Sequence, residues 1–152
     1  MRSVNDFLRE ADMRGLISII KAFFVTAIAI GCVIFAYVLS VSPVFPKGER
    51  YEFYSGTSSD EIVLSRSPFE KLFLSGVKGE SVRYRGDRAQ EILSGFGAEI
   101  LFVEEAAGIT NYYCYSPALK NSVSLGGEVV NLHIACNGEE TAAGTPLIFG
   151  GF

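Results

Sequence analysis

The residues of this chain that could do chemistry are few and lie in its second half: Cys114, Cys136, a single histidine at 133, and the run Asn111-Tyr112-Tyr113-Cys114-Tyr115. Cys114 and Cys136 fall at or near the ends of stretches rich in β-formers. A disulfide between them and two buried thiols both fit that placement. They lack the C-x-x-C spacing of a redox or zinc motif. His133 is expected to point outward beside Asn131, and zinc would need further nitrogen or sulfur donors. Glu104 and Glu105 are adjacent, so on a strand they point to opposite faces and cannot work as paired carboxylates. No catalytic, metal or cofactor-binding residue is assigned, and no cofactor is expected.

The tyrosines suggest recognition. On one strand Tyr113 and Tyr115 share a face and Tyr112 takes the other, and such rings either cover their own sheet or bury area against a partner. Gly144-Thr145-Pro146-Leu147-Ile148-Phe149-Gly150-Gly151-Phe152 is apolar and glycine-punctuated. It is expected to dock as an edge strand to which another chain could add. The expected interaction surface is therefore Tyr112, Tyr113, Tyr115, His133, Phe149 and Phe152.

These residues need a scaffold, and local signals supply one. Residues 51–54 and 62–64 read as short strands around a polar loop at 55–60. Ser67-Pro68-Phe69-Glu70 aligns an N-cap, a first-turn proline and a capping-box acid, which predicts a helical turn or two over 68–74, although the apolar residues there also suit a strand. Residues 78–85 predict a strand. Asp87 as cap, Gln90 three residues on, the stripe Ala89, Ile92, Leu93, Phe96 and the stops Gly95 and Gly97 predict a helix with one buried face. Residues 98–104 and 109–115 read as a hairpin, as do 123–125 and 128–136 around Gly126-Gly127. In the last of these strands Val130, Leu132, Ile134 and Cys136 should face the core. The expected class is α+β: an antiparallel sheet of four to six strands with one main helix packed on it.

No charged residue lies between Lys21 and Lys47. Residues 22–42 supply 21 mostly apolar positions, about 31 Å of helix at ~1.5 Å per residue, enough to cross a bilayer core. A cleaved signal peptide would have a shorter apolar run and a clean cleavage site. Ala29-Ile30-Gly31-Cys32 has the look of a lipoprotein site, but the apolar run continues past Cys32. Arg2, Arg9, Arg14 and Lys21 precede the span and only Lys47 and Arg50 follow closely, which places the N-terminus in the cytoplasm. The expected layout is a cytoplasmic tail (1–21), a single transmembrane helix (22–42) ended by Pro43 and Pro46, a linker (43–49) and an extracytoplasmic domain (50–152). Val4, Phe7, Leu8 and Ala11, with Ser3 as cap, form either a surface helix that Gly15 separates from the span or an extension of it.

From residue 46 onward there are nine Lys/Arg against fourteen Asp/Glu. An acidic domain of this kind lacks the basic face that nucleic acid requires, so no nucleic-acid partner is expected. An integral membrane location with a protein partner in the envelope is expected instead. None of the five asparagines begins an N-x-Ser/Thr acceptor, which fits a bacterial cell membrane. The expectation is a membrane-anchored interaction module, with an envelope hydrolase as the competing class.

In topology alone, Gly15-Leu16 followed by an apolar helix and a small α+β head resembles the type IV pilin-like proteins. That resemblance implies an assembly component with a C-terminal disulfide. Ile20 stands where those proteins carry a glutamate at the fifth mature position, and Pro43 and Pro46 stop the helix where theirs continues.

The charge asymmetry generates a direct test. Single cysteines at 5 and 140, in a background without native thiols, are treated on intact cells with an impermeant thiol reagent. Only position 140 should react, and labelling at 5 would invert the topology.

Overall fold

A computed structural model describes residues 4–45, 47–56 and 62–151. The expectations placed on Ser3, Pro46, the loop tip at 57–60 and Phe152 lie outside the described residues. The chain divides into two units, Met1–Val41 and Ser42–Phe152.

The first unit is one helix, α1 (Val4–Val41), of 38 residues. Gly15 does not break it, so the N-terminal stretch extends the apolar helix and is no separate element. It ends at Val41 because Ser42 precedes Pro43, and a residue before proline is pushed out of the α region. From Met13 to Val41 it is apolar and long enough to cross a membrane, and none of its best window is covered by protein.

The second unit is α+β. Its elements are β1 (Arg50–Tyr54), β2 (Ile62–Ser65), a 3-10 helix (Pro68–Phe73), β3 (Gly79–Arg85), α2 (Ala89–Phe96), β4 (Glu99–Ala106), β5 (Ile109–Tyr115), β6 (Val123–Leu125), β7 (Glu128–Val130), β8 (Leu132–Cys136) and β9 (Glu140–Thr145). Seven strands form one antiparallel sheet in the order β2-β1-β3-β9-β8-β5-β4, while β6 and β7 pair as a separate ribbon. Two expectations are corrected here. The sheet has more strands than four to six, and the strand expected over 128–136 breaks at Asn131 into β7 and β8, which belong to different sheets.

The local chemistry explains most boundaries. The β4–β5 hairpin turns through Ala107 and Gly108, both at positive φ (53° and 79°), as a tight two-residue turn requires. In α2 the Asp87 carboxylate accepts from the Ala89 N–H, and Gly97, left-handed at φ 54°, returns its N–H to Leu93 and Ser94. Ser67 caps the 3-10 helix by accepting from the Phe69 N–H, with Pro68 at its first position.

One face of the sheet carries the core. Val82, Cys114, Leu132 and Ile134 are fully buried with Phe45, Phe53 and Ala143, and Ala89, Ile92 and Leu93 of α2 close over them. The expected inward set Val130, Leu132, Ile134 and Cys136 is buried. Asn131 and Ala135, expected on the outward set, are buried too, at 1% exposure each. Asn131 donates to the Ser116 and Leu119 carbonyls and accepts from the Ser116 N–H, which fastens the loop between β5 and β6. Ala135 lies between Asn111 and Ala142 on a sheet whose second face is also partly covered.

A charged residue sits within this core face. Glu80, 3% exposed, accepts from the Val44 and Phe45 N–H groups and pairs at 2.5 Å with Lys71 Nζ, which also donates to the Ser42 carbonyl. The segment entering the domain is thereby tied to β3 and the 3-10 helix at once. Removing one partner of a buried pair leaves an uncompensated charge, so Glu80→Ala should cost about 3–5 kcal/mol. In the double variant Glu80→Leu, Lys71→Met most of that loss should be recovered. Denaturant unfolding of residues 42–152 measures both.

Candidate functional site

The second face of the sheet is where the sequence placed an interaction surface. After β9 the chain reverses at the cis Thr145–Pro146 bond and lies back across this face. A Cβ on Gly144 would stand 2.5 Å from the Leu147 carbonyl oxygen, and one on Gly79 would stand 2.6 Å from the Phe149 ring, so both glycines are required by the close approach. Phe149 stacks on Tyr54 with centroids 4.2 Å apart, and the Gly151 carbonyl accepts from Arg83 Nη2 at 2.6 Å. The expected edge strand is thus corrected. The strand in this region is β9, at the centre of the sheet, and the residues after it cover the sheet instead of extending it.

Beneath the returning segment lies a polar cluster. Ser81 Oγ donates to Glu52 Oε2, Arg83 Nε lies 3.5 Å from Glu52 Oε1, Arg50 Nη2 lies 3.7 Å from the same oxygen, and Arg83 Nη1 lies 3.4 Å from Glu140 Oε1. Each carboxylate is engaged by a cation or a hydroxyl. This arrangement holds the C-terminal segment, and Ser81 is a donor in it, not an activated nucleophile.

Next to the cluster, three rings from three adjacent strands form a ladder. Phe102 of β4 stacks on Tyr113 of β5, and Tyr113 stacks on His133 of β8, with centroids 4.5 Å apart in both pairs. Burial pushes the Tyr113 phenol up, and the Glu104 carboxylate, which accepts its hydrogen bond, adds to the shift. His133 Nδ1 lies 3.4 Å from the Ile148 N–H, which donates to it, so Nε2 carries the ring proton and donates to Asn111 Oδ1 at 3.1 Å. Burial lowers the His133 pKa to about 4 and the imidazole is neutral near pH 7. The expectation of an outward, free histidine is corrected.

The residues assigned to the interaction surface therefore separate. Tyr113, His133 and Phe149 pack within their own domain, Tyr112 packs against the core, and Tyr115 is 41% exposed. Cys114 and Cys136 are free thiols on neighbouring strands. Cys114 pairs with Leu132, four residues along β8 from Cys136. That offset is ~13 Å along a strand, beyond the ~4–7 Å between Cα atoms that a disulfide spans. Burial also pushes the Cys114 thiol up to about 11, away from a reactive thiolate. Among the described residues no three His, Cys, Asp or Glu side chains converge as a metal site would require.

The sheet has two open edges, the four-residue β2 and the longer β4. This eight-residue strand pairs with β5 on one side only, with Ile100 43% and Val103 47% exposed. It carries Glu99, Glu104 and Glu105 and no Lys or Arg. The sequence had put the edge in the C-terminal tail, and only the strand order shows that β4 is an outer strand, with β2 at the other end of the sheet. No family model, curated protein or solved structure matches the chain. The functional reading rests on its own residues.

The histidine gives a pH test. Its folded pKa lies below the unfolded value of about 6.5, so the neutral form stabilises the fold above pH 6.5 and that contribution is lost as pH falls toward 4, a loss on the order of 2–3 kcal/mol. The slope of unfolding free energy against pH between 6.5 and 5 should flatten by about one proton in His133→Gln. An unchanged slope would mean the imidazole titrates normally in the folded domain.

Proposed function

We propose that this chain is a single-pass membrane protein of a bacterial cell envelope. In this reading its N-terminus is cytoplasmic, and its outer domain binds an extended segment of a protein partner along the free edge of β4. The anchor is supported by the exposure of apolar side chains from Met13 to Leu39 of α1, which leaves lipid as the phase that covers them. Two of its hydroxyls bond back within the helix, Thr26 donating to the Ala22 carbonyl and Ser40 to the Tyr37 carbonyl. The Lys/Arg asymmetry supports the orientation.

The observation that carries the binding role is the long, one-sided β4 with its exposed Ile100 and Val103. Exposed edges of this kind are where added strands pair. Two copies of β4 would pair poorly. Antiparallel pairing slipped by one or two residues from full overlap sets Glu99 opposite Glu105 or Glu104, full overlap sets Glu104 and Glu105 against Leu101 and Ile100, and parallel pairing sets each glutamate beside its own copy. The fitting partner alternates apolar residues with Lys or Arg facing the acidic end of the strand.

A photoreactive amino acid at position 103 should cross-link to a partner in native membranes, and the same group at exposed Val129 should not. Equal adducts at both positions would remove β4 from the reading. A product of twice the chain's mass would replace the partner by a second copy.

A further inference from the structure

The 3-10 helix Pro68–Phe73 leaves two phenylalanines in the open, Phe69 at 63% and Phe73 at 88% exposure. A lone exposed apolar residue is ordinary, but two large rings on one six-residue element, about 120° apart around its axis, are a combination that water disfavours. The element's position is fixed by its own contacts. Lys71, between the two rings in sequence, donates to the carbonyl of Ser42 at 3.2 Å. Ser42 is the residue immediately after Val41, where α1 ends.

The uncharged apolar stretch from Ala22 to Val41 is 20 residues, about 30 Å of helix, which matches the hydrocarbon thickness. In the anchor reading Ser42 is the first residue beyond the acyl region, and Lys71 Nζ is held against its carbonyl. With ~2.0 Å rise per residue in a 3-10 helix, the backbones of Phe69 and Phe73 are each within about 4 Å of Lys71 along the axis. In the anchor reading, both backbones stand within reach of the interface, the zone that amphipathic and aromatic anchors occupy.

Charge agrees with the placement. Between residues 66 and 78 stand Arg66, Lys71 and Lys78 against Glu70, in a domain that is otherwise acidic. Lys71 is committed to Glu80, and Arg66 and Lys78, both exposed, still outnumber Glu70. That balance suits anionic headgroups.

We propose that the 3-10 helix is a lipid-contacting wedge: Phe69 and Phe73 insert into the interface of the outer leaflet and fix the domain against the membrane. The inference rests on the anchor reading above. The chain contains no tryptophan, so one introduced indole reports alone. Full-length Phe73→Trp and, separately, Phe24→Trp are reconstituted into vesicles of phosphatidylethanolamine and phosphatidylglycerol, with and without acyl chains brominated near the headgroup. The Phe73→Trp emission should be blue-shifted and lose intensity with brominated lipid, at every protein-to-lipid ratio. Quenching of Phe24→Trp without quenching of Phe73→Trp would overturn the wedge and leave the anchor standing. Absence of quenching in both would remove the anchor, and the wedge with it. A blue shift at Phe73→Trp that bromine does not quench, and that disappears as lipid dilutes the protein, would overturn the wedge in favour of contact with a second copy.

Discussion

The α+β domain depends on one buried carboxylate. An ion taken from water into an apolar interior loses several kcal/mol of solvation, recovered only when its lone pairs are occupied and a counter-charge is close. In Glu80 one oxygen accepts from two backbone N–H groups, while the other lacks a hydrogen bond and is balanced by the Lys71 charge beside it. The consequence is specificity of position. Phe45 is driven into the core against Phe96, the 3-10 helix is held over β3, and the chain's exit from the helical unit is tied to the middle of the domain. Apolar residues could fill the same volume, but they would not choose one register for the incoming segment.

The two faces of the sheet obey different rules. On the core face, side-chain volume does the packing, and the strands show the alternation expected of half-buried β structure. On the other face the chain itself is the cover, and it approaches so closely that β9 and its neighbours carry Ala142, Gly144 and Gly79 under it. Small residues are poor strand formers in isolation. Glu140-Thr141-Ala142-Ala143-Gly144-Thr145 is nonetheless a central strand, because neighbours on both sides supply its backbone partners and the tight cover requires its lack of bulk.

That difference explains what could be read from the chain directly. Wherever a residue's own chemistry sets its structure, the sequence is legible: the stripe Ala89, Ile92, Leu93, the Ser67-Pro68 start, the positions of β1, β3 and β5, and the inward set of β8. Structure imposed by a distant segment is not. β9 has no strand signature of its own, and the apolar tail looked like an edge because nothing local shows that it folds back over the sheet. His133 and Asn131 read as outward by period, yet the Ile148 backbone and the loop at 116–119 enclose them. The open edge at β4 was invisible for the same reason: which strand is outermost depends on the order of all seven.

The position of β9 bears on how the domain is made. It is the last of the sheet's strands in the chain, yet it joins two blocks, β2-β1-β3 on one side and β8-β5-β4 on the other. A chain that is synthesised from its N-terminus presents both blocks before the strand that unites them. Until residues 140–145 arrive, β3 and β8 each expose a row of unpaired backbone groups. Completion of the sheet thus waits for residues 140–145, and a ribosome that stalls just short of residue 140 leaves two half-sheets open to mispairing.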